Sequence, residues 1–334
     1  MTVAVKHRLS AAVAGGLAAD VATMTTHWVY DQAELKTKVD GRDPLFVDPP
    51  INNFYTKEIG THSPYGEELQ PLLDALVTKN LLEKPAIFKR YYNWAKHTDA
   101  RLNHVSKSLL EKAGDGELGS TAEWESCVAE DTQANGFIKV PFVAARFYQL
   151  TEKEVNTNEL LQKVSESVAI CQKGDETQVA SAIALRVFVG VVQGDSVSEV
   201  LNKLSTDTTI AEDEREHAKA AMTIAKKASV GNTPSEKQVA INEVAKEAGL
   251  SCALPGAVRV ALAVASLYEN DYEQAIRVNA MIGGDNCSRS ILVGALVAAN
   301  LASETQLWSV PQAINSKSHH KRWDAELLAA NPAL

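Results

Sequence analysis

One stretch of the chain reads Met281-Ile282-Gly283-Gly284-Asp285-Asn286-Cys287-Ser288-Arg289, and it leads into an apolar run from Ser290 to Ala302. The paired glycines favour a tight turn, because glycine adopts positive φ without a Cβ clash. Asp285 or Asn286 can then cap a helix by accepting hydrogen bonds from the free N–H groups of its first turn. Since the residues that follow are apolar on nearly every side, the sequence predicts a buried helix there.

A buried helix that begins with Asp, Asn, Cys and Ser would place polar side chains at the floor of a cleft. The helix dipole favours an anion at that point, whereas the carboxylate of Asp285 favours a cation. The simpler interpretation is a capped core helix that binds nothing. These residues alone favour the simpler interpretation, since short motifs often match by chance.

The composition is that of an ordinary globular protein with an acidic balance. The chain has 334 residues, of which 45% are hydrophobic and 22% charged, and its net charge is −9. We expect neither a nucleic acid nor a membrane surface as the partner of such a chain, and a monomer is the expected state. No apolar run in the sequence reaches the ~20 residues that a membrane span needs.

Two features bear on the cellular compartment. Four cysteines lie far apart without a CxxC pair, which fits reduced thiols in the cytoplasm better than a disulfide framework or a zinc site. Lys6-His7-Arg8 and the apolar residues 9–19 imitate a signal peptide, but that segment is poor in leucine, holds two glycines and runs into Asp20. We therefore expect a cytoplasmic protein that begins with a helix. The cysteines are Cys127, Cys171, Cys252 and Cys287.

Residues 7–26 are predicted to form a helix of small side chains, which would let another helix or a ligand approach closely. Asp20 is the one acid inside this apolar segment. Because an unpaired buried carboxylate is costly, Asp20 should have a hydrogen-bond donor, an arginine or a metal as its partner. His27 follows, next to Trp28. It could be a base or a ligand, although a packed, hydrogen-bonded core histidine is the commoner case.

A loop region with many helix-breaking residues occupies positions 40–64, and a segment of this kind is often part of a site or a lid. It ends at Ser63-Pro64-Tyr65-Gly66-Glu67-Glu68, where a helix is expected to begin. Glu67 and Glu68 could serve a cation. They could equally be acids placed at a helix N-terminus because of the dipole, which is the more common situation.

Most of the remaining chain is predicted to be helical. Residues 85–112 carry aromatic side chains on their inner side, and apolar residues recur at helical spacing through the second half. The segment from Ala257 to Tyr268 could be a strand, but its interleaved alanines favour a helix. The sequence therefore predicts an all-α bundle. The basic patch His319-His320-Lys321-Arg322 is interpreted as surface.

Three blocks of the chain resemble a known family in their order and spacing. They are Gly16 to Asp31 (GLAADVATMTTHWVYD), Ser251 to Gly256 (SCALPG) and Gly283 to Arg289 (GGDNCSR). The family is that of the ADP-ribosylglycohydrolases, and the similarity spans essentially the whole chain. The last two blocks in combination are specific, whereas Gly-Gly-Asp alone would be weak. The resemblance implies a compact, multi-helix orthogonal bundle with a central cleft, formed by residues 1–334 as a single domain.

Within that family the chain most resembles the J-type crystallins of the jellyfish eye lens, which are non-catalytic relatives of the hydrolases. In the hydrolases the cleft holds two Mg²⁺ or Mn²⁺ ions, and the enzyme cleaves the N- or O-glycosidic bond of ADP-ribose. The metal ligands there come from a Thr-Asp-Asp near the second helix and from a late Asp-x-Asp-Thr. Here Asp285 matches the first acid of the late motif, Cys287 stands in place of the second acid, and Ser288 stands in place of the Thr.

No Thr-Asp-Asp occurs in this chain, and the corresponding stretch is Ser63 to Glu68. Hard cations want several oxygen ligands, and thiol sulfur is a poor ligand for Mg²⁺, so the resemblance implies a degenerate metal site. We expect no cofactor, or at most one weakly bound Mg²⁺ at Asp285 with Glu67 or Glu68. The expected remnants of the ligand-binding cleft are Asp20, His27, Asn286 and Ser288.

Three functions are compatible with these residues. The first is a structural eye-lens crystallin without hydrolase activity, in effect a pseudoenzyme with no catalytic residues. The second is a metal-dependent hydrolase of ADP-ribose linkages, and the third is a module that binds ADP-ribose or a nucleotide without cleaving it. The broken ligand set and the resemblance favour the first.

Overall fold

Helices make up nearly all of the regular structure, which confirms the predicted all-α fold. The structure is a computed structural model that describes residues 1–52, 56–77, 84–114, 120–151 and 155–319. Within these ranges the α-helices are α1 (Val3–Thr23), α2 (Gln32–Val39), α3 (Pro64–Val77), α4 (Lys84–His97), α5 (His104–Ala113), α6 (Thr121–Cys127), α7 (Val140–Leu150), α8 (Thr157–Val168), α9 (Asp175–Gln193), α10 (Val197–Thr206), α11 (Glu212–Ala228), α12 (Pro234–Ala248), α13 (Gly256–Leu267), α14 (Tyr272–Ile282), α15 (Asn286–Leu301) and α16 (Gln312–Asn315). Short 3₁₀ helices lie at Met24–Thr26 and Phe137–Lys139, and the two-residue strands β1 (Ala129–Glu130) and β2 (Gln172–Lys173) pair in parallel.

α1 and α15 pack against each other more extensively than any other two elements of the described chain. Glycine allows their close approach. A Cβ on Gly15 would lie 2.4 Å from the Cβ of Ala298, and a Cβ on Gly294 would lie 2.4 Å from the carbonyl O of Gly15. Both distances are far below ordinary van der Waals contact. The predicted close approach of a second helix to residues 7–26 is therefore confirmed.

The main hydrophobic core surrounds this helix pair. Every residue of α15 from Asn286 to Ala299 is buried, which confirms the predicted buried helix. α13 and α14 pack against α15, and α11 packs in turn against α13. The alanine-rich segment that could have been a strand forms the buried helix α13, because alanine favours a helix and its small side chain fits between neighbouring helices.

A second hydrophobic cluster is formed mainly by α4, α5 and α6. The prediction that residues 85–112 are helical is confirmed for most of the segment, which the structure divides into two helices: α4 ends at His97 and α5 begins at His104. The break is stabilised by Asn103, whose side-chain oxygen accepts a hydrogen bond from the N–H of Ser106 at 2.8 Å and so caps α5. Residues 98–103 therefore form a connection of their own.

The two ends of the chain are described to different extents. The predicted first helix runs from Val3 to Thr23 and continues as the 3₁₀ turn at Met24–Thr26. In the predicted basic patch, the N–H of His319 donates to the carbonyl O of Gly60 at 2.8 Å, and residues 320–322 lie outside the described residues. Within the described part of the chain, each helix is too short or too polar to cross a membrane. The single domain stays a prediction.

Candidate functional site

The turn before α15 is joined by backbone hydrogen bonds to the segment after α1. Gly283 and Gly284 have φ of 77° and 62°, in the left-handed region that favours glycine. The N–H of Gly284 donates to the carbonyl O of Val29 at 2.7 Å, and the N–H of Trp28 donates to the carbonyl O of Gly284 at 2.8 Å. The predicted tight turn is confirmed, and these bonds bring the segment after α1 beside Asp285.

Asp285 stands at the N-cap position of α15 and is fully buried. Its Oδ1 accepts from the hydroxyl of Tyr65 at 3.0 Å, and its Oδ2 accepts from the hydroxyl of Ser288 at 2.5 Å. The N–H of Cys287, in the first turn of α15, donates to Nδ1 of His27 at 3.4 Å. Asp285 does not cap the helix with its side chain and neither does Asn286, so the predicted capping by these residues was wrong. The reason is that side-chain hydroxyls already bind both oxygens of the Asp285 carboxylate.

His27 is fully buried beside this carboxylate. Its Nε2 lies 3.4 Å from Oδ1 of Asp285, and its Nδ1 lies 3.1 Å from Oδ1 of Asn286. Burial lowers the pKa of His27, and the nearby charge of Asp285 only partly opposes that effect, so the ring is neutral at pH 7. The ring also packs against Trp28, with centroids 4.4 Å apart. These contacts are those of a packed, hydrogen-bonded core histidine.

Asp20 meets three hydrogen-bond donors from the segment before α3. Its carboxylate lies 2.9 Å from Nδ1 of His62 and 3.1 Å from the backbone N of Ser63, and it accepts from the Ser63 hydroxyl as well. A Cβ on Gly66 would lie 2.1 Å from Oδ2 of Asp20, so glycine is needed at that position of α3. The partner that Asp20 was predicted to need is therefore a set of hydrogen-bond donors.

The thiol of Cys287 is enclosed between α1 and α15. Its Sγ lies 3.5 Å from Oγ1 of Thr23 and 3.8 Å from the carbonyl O of Asp20. Burial raises the pKa of Cys287 well above its usual value, and the charges of Asp20 and Asp285 raise it further. The thiol is therefore protonated at pH 7, whereas metals bind the thiolate.

Glu67 lies in the first turn of α3, where a helix was predicted to begin. Its Oε1 lies 3.3 Å from Nζ of Lys57, and the Glu67 side chain is 11% exposed. Lys57 also forms an ion pair with Asp99, with Nζ 2.6 Å from Oδ1. The ammonium group of Lys57 therefore lies beside Glu67, where a weakly bound Mg²⁺ was predicted.

Glu68 is the more deeply buried of the two acids and joins several elements. It accepts from the hydroxyl of Tyr91 at 2.8 Å and from the side-chain amides of Asn103 and Asn135. Burial raises the pKa of Glu68, although Lys139 and these hydrogen bonds oppose the shift. Its oxygens connect α3 to α4, to the start of α5 and to the segment before α7.

The predicted metal ligands each contact protein groups that would compete with an ion. Among the residues that the structure describes, no three or more His, Cys, Asp or Glu side chains are arranged so that they could hold a metal ion. A pair of Mg²⁺ or Mn²⁺ ions needs several carboxylate oxygens that converge. The residues present do not fit such a pair. One weak ion at Asp285 stays a prediction.

No role could be predicted from the sequence for Arg289, which proves to be a fully buried cation. Its guanidinium donates to Oδ1 of Asn279 at 2.9 Å, to the carbonyl O of Leu250 at 3.2 Å and to the carbonyl O of Gly283 at 2.5 Å. Burial lowers the pKa of Arg289 to about 10, so it is still charged at pH 7. It ties the glycine turn to the loop before α13 and to α14.

A cavity of about 270 Å³ opens beside this network. Tyr65 connects the two, since it lines the cavity and its hydroxyl donates to Asp285. Of the predicted site residues, Glu68 is found in the lining. The basic side chains at the cavity could not be predicted from the sequence, because they carry no motif. Arg101 lies in the break between α4 and α5, and His104 and Lys107 lie on α5. The lining includes Trp28, Tyr65, Glu68, Arg101, His104, Lys107 and Cys252.

The chain is similar to known proteins over nearly its whole length. Residues 1–329 match the family model described as ADP-ribosylglycohydrolase. Crystallin J1A and Crystallin J1B of Tripedalia cystophora are each 25% identical to the chain, over 320 and 317 residues, which covers 90% of this chain and 89% of each relative. A solved structure described as an ADP-ribosylglycohydrolase-related protein complex is similar with a TM-score of 0.61, at 16% identity and with 98% of both chains covered. That structure shows the shared fold.

Proposed function

Because the chain belongs to the ADP-ribosylglycohydrolase family, we propose that it is a member that does not hydrolyse ADP-ribose linkages and serves as a structural crystallin of the eye lens. In this proposal the fold is retained for its packing, and hydrogen bonds and charges within the protein take over the positions of the metal ligands. The similarity to the two J1 crystallins supports the structural role.

The proposal rests on the hydrogen bonds that the carboxylates of Asp285 and Asp20 accept from protein groups. Asp285 accepts from Tyr65 and Ser288, and Asp20 accepts from His62 and Ser63. A divalent cation would have to replace these donors, and each charge-assisted hydrogen bond that it broke would weaken its binding. The thiol of Cys287 does not replace a carboxylate ligand, because sulfur binds Mg²⁺ poorly. We therefore expect that this site does not bind a pair of divalent ions.

The first experiment is calorimetry of the full chain with Mg²⁺, with Mn²⁺ and with ADP-ribose, beside a turnover assay on an ADP-ribosylated protein. We expect no metal-dependent turnover and no tight metal binding. Metal-dependent release of ADP-ribose would refute the proposal. An antibody against the chain should stain the cytoplasm of lens cells strongly, and absence of the chain from the lens would refute the crystallin role by itself.

A second experiment restores an acid at the late motif. Cys287→Asp places a carboxylate next to Asp20 and Asp285, so the variant should unfold more readily without metal and should bind Mg²⁺ more tightly than the parent. Cys287→Asn is the matched control, because it has the same shape and no charge. Equal Mg²⁺ affinity of the two variants would show that the glycine turn has lost its ligand geometry.

The cavity supports a second candidate function, the binding of ADP-ribose or a nucleotide without cleavage. Trp28 and Tyr65 offer aromatic faces, and Arg101, His104 and Lys107 offer groups that attract phosphate. Calorimetry with ADP-ribose and with AMP in the absence of metal tests this candidate. Tight binding without turnover would favour it over the crystallin role.

A further inference from the structure

Residues 98–103 connect α4 to α5, and we call them the strap. Arg101, Leu102 and Asn103 line the cavity, and Arg101 is exposed there. The strap has a defined shape. The N–H of Thr98 donates to the carbonyl O of Trp94 at 2.9 Å, and the N–H of Ala100 donates to Oγ1 of Thr98 at 3.0 Å. At its other end, the cap that Asn103 forms on α5 fixes the chain direction.

Two contacts fasten the strap to the start of α3. Asp99 binds Lys57, which binds Glu67, and the side-chain amide of Asn103 donates to Glu68. The outer contact is weak, because the Asp99 side chain is 88% exposed and water competes for it. The inner contact is stronger, because Glu68 is buried. The strap is therefore held firmly near Asn103 and loosely near Asp99.

Arg101 lies between these two contacts and covers Trp28. The guanidinium carbon of Arg101 is 4.7 Å from the centroid of the Trp28 ring, which is the geometry of a cation–π contact. Trp28 has a φ of 63°, an unfavourable conformation for a bulky residue, and its N–H is held by the carbonyl O of Gly284. The ring is thus fixed by the glycine turn, and Arg101 contacts it from the strap, between Asp99 and Asn103.

We propose that the strap is a gate of the cavity, held closed by Arg101 on Trp28 and hinged near Asn103. Opening would uncover the Trp28 ring and widen access to the inner wall that Tyr65 and Cys252 form. The gate controls access to the cavity whether or not the cavity hydrolyses or binds anything, so it does not depend on the proposed function.

The chain carries its own reporter of this opening. Cys252 lines the cavity and is half-buried, whereas Cys127, Cys171 and Cys287 are buried. Burial raises the pKa of Cys252 to about 12, so alkylation of this thiol at neutral pH is slow. The extent of labelling can therefore be measured in samples taken manually over time. The rate at which iodoacetamide labels Cys252 in the full chain therefore measures how often the cavity is open to solvent.

The test compares Arg101→Gln with the parent chain by mass-spectrometric mapping of Cys252 labelling at one fixed pH. Losing a cation–π contact should raise the labelling rate by between about 2-fold and about 30-fold. Lys107→Gln is the matched control, because Lys107 lines the same cavity and the substitution removes the same charge. Its labelling rate should stay at the parent value.

Two outcomes would overturn the gate. One is an unchanged labelling rate in Arg101→Gln, and the other is an equal rise in Lys107→Gln, which would reveal an effect of charge alone. Arg101→Lys, which keeps the charge but loses the planar group, should label at an intermediate rate. If Arg101→Gln failed to give the parent's circular dichroism spectrum, Arg101→Lys against the parent would decide the question in the same way.

Discussion

The α1–α15 pair and the strap are held by different forces. The strap lines the cavity itself, whereas the helix pair is linked to it through Tyr65, which lines the cavity and donates to Asp285 at the start of α15. The helix pair is stabilised by small residues in direct contact and by a buried polar network whose members are hydrogen-bonded inside the protein. The contacts of the strap include the Asn103 amide on buried Glu68, the Arg101 guanidinium over Trp28 and the exposed ion pair of Asp99 with Lys57. Buried contacts of the first kind resist local opening, whereas exposed contacts of the second kind break readily.

This difference shows where such a fold can change without being lost. Acidic residues that could have bound cations occur both at the helix pair and at the strap. On the helix-pair side, Asp20 and Asp285 have become part of the packing. On the other side, Glu67 and Glu68 hold the strap. Acidic side chains therefore stabilise the core in one region and position a surface segment in the other.

The largest expected effect tests the close approach of the two helices. Gly294→Val adds a side chain where even a Cβ would lie 2.4 Å from the carbonyl O of Gly15. We expect the free energy of unfolding in urea to fall by at least about 3 kcal/mol, because the backbone of α1 would have to move.

The control for this substitution is Gly41→Ala. Gly41 has a φ of 72° and nothing within 4 Å of an added Cβ, so only the left-handed backbone is penalised. That variant should lose about 1–2 kcal/mol. If Gly294→Val lost no more than Gly41→Ala, the contact between α1 and α15 would be less tight than described.

The next effect concerns the neutral histidine beside α15. Burial lowers the pKa of His27 in the folded chain, whereas the unfolded chain keeps the ordinary value of about 6.5. Stability from this group is complete above pH 6.5 and is lost as the pH falls toward the folded value, by up to about 1.4 kcal/mol per pH unit, because the unfolded state then binds the extra proton. His27→Gln should remove that slope.

The measurement is urea unfolding of the parent and of His27→Gln between pH 7.5 and pH 5, values chosen around the ordinary histidine pKa of about 6.5. His217→Gln is a second variant for the same measurement, because burial also lowers the pKa of His217, whose Nε2 lies 2.9 Å from Oε1 of Glu176. Equal slopes in the parent and in His27→Gln would contradict the neutral state of His27.

The smallest expected effect concerns the outer fastening of the strap. Asp99→Asn removes an ion pair with Lys57 whose acid is almost fully exposed. We expect the urea midpoint to stay within experimental error, because an exposed pair adds little to stability. A clear loss of stability would mean that the strap is part of the cooperative core and would remove the contrast with the helix pair.

Much of the fold could be predicted because its signals are local. The small residues of 7–26 and the apolar run after Arg289 predicted the two central helices, and the paired glycines predicted the turn between Ile282 and Asp285. The need of Asp20 for a partner also followed from its apolar neighbours. That the partner is His62, 42 residues away, could not be predicted, since nothing in the spacing of the two residues records their contact.

What the sequence by itself determined is the helical class and the composition of the central pair, because periodicity and side-chain size act over a few neighbouring residues. Only the tertiary structure decided which groups the buried acids contact and which residues line the cavity. Tyr65 meets Asp285 across 220 positions, and Arg101 reaches Trp28 only because α4 stops at His97. Such contacts depend on how the helices are arranged in space, and that arrangement is set by the packing of the whole chain.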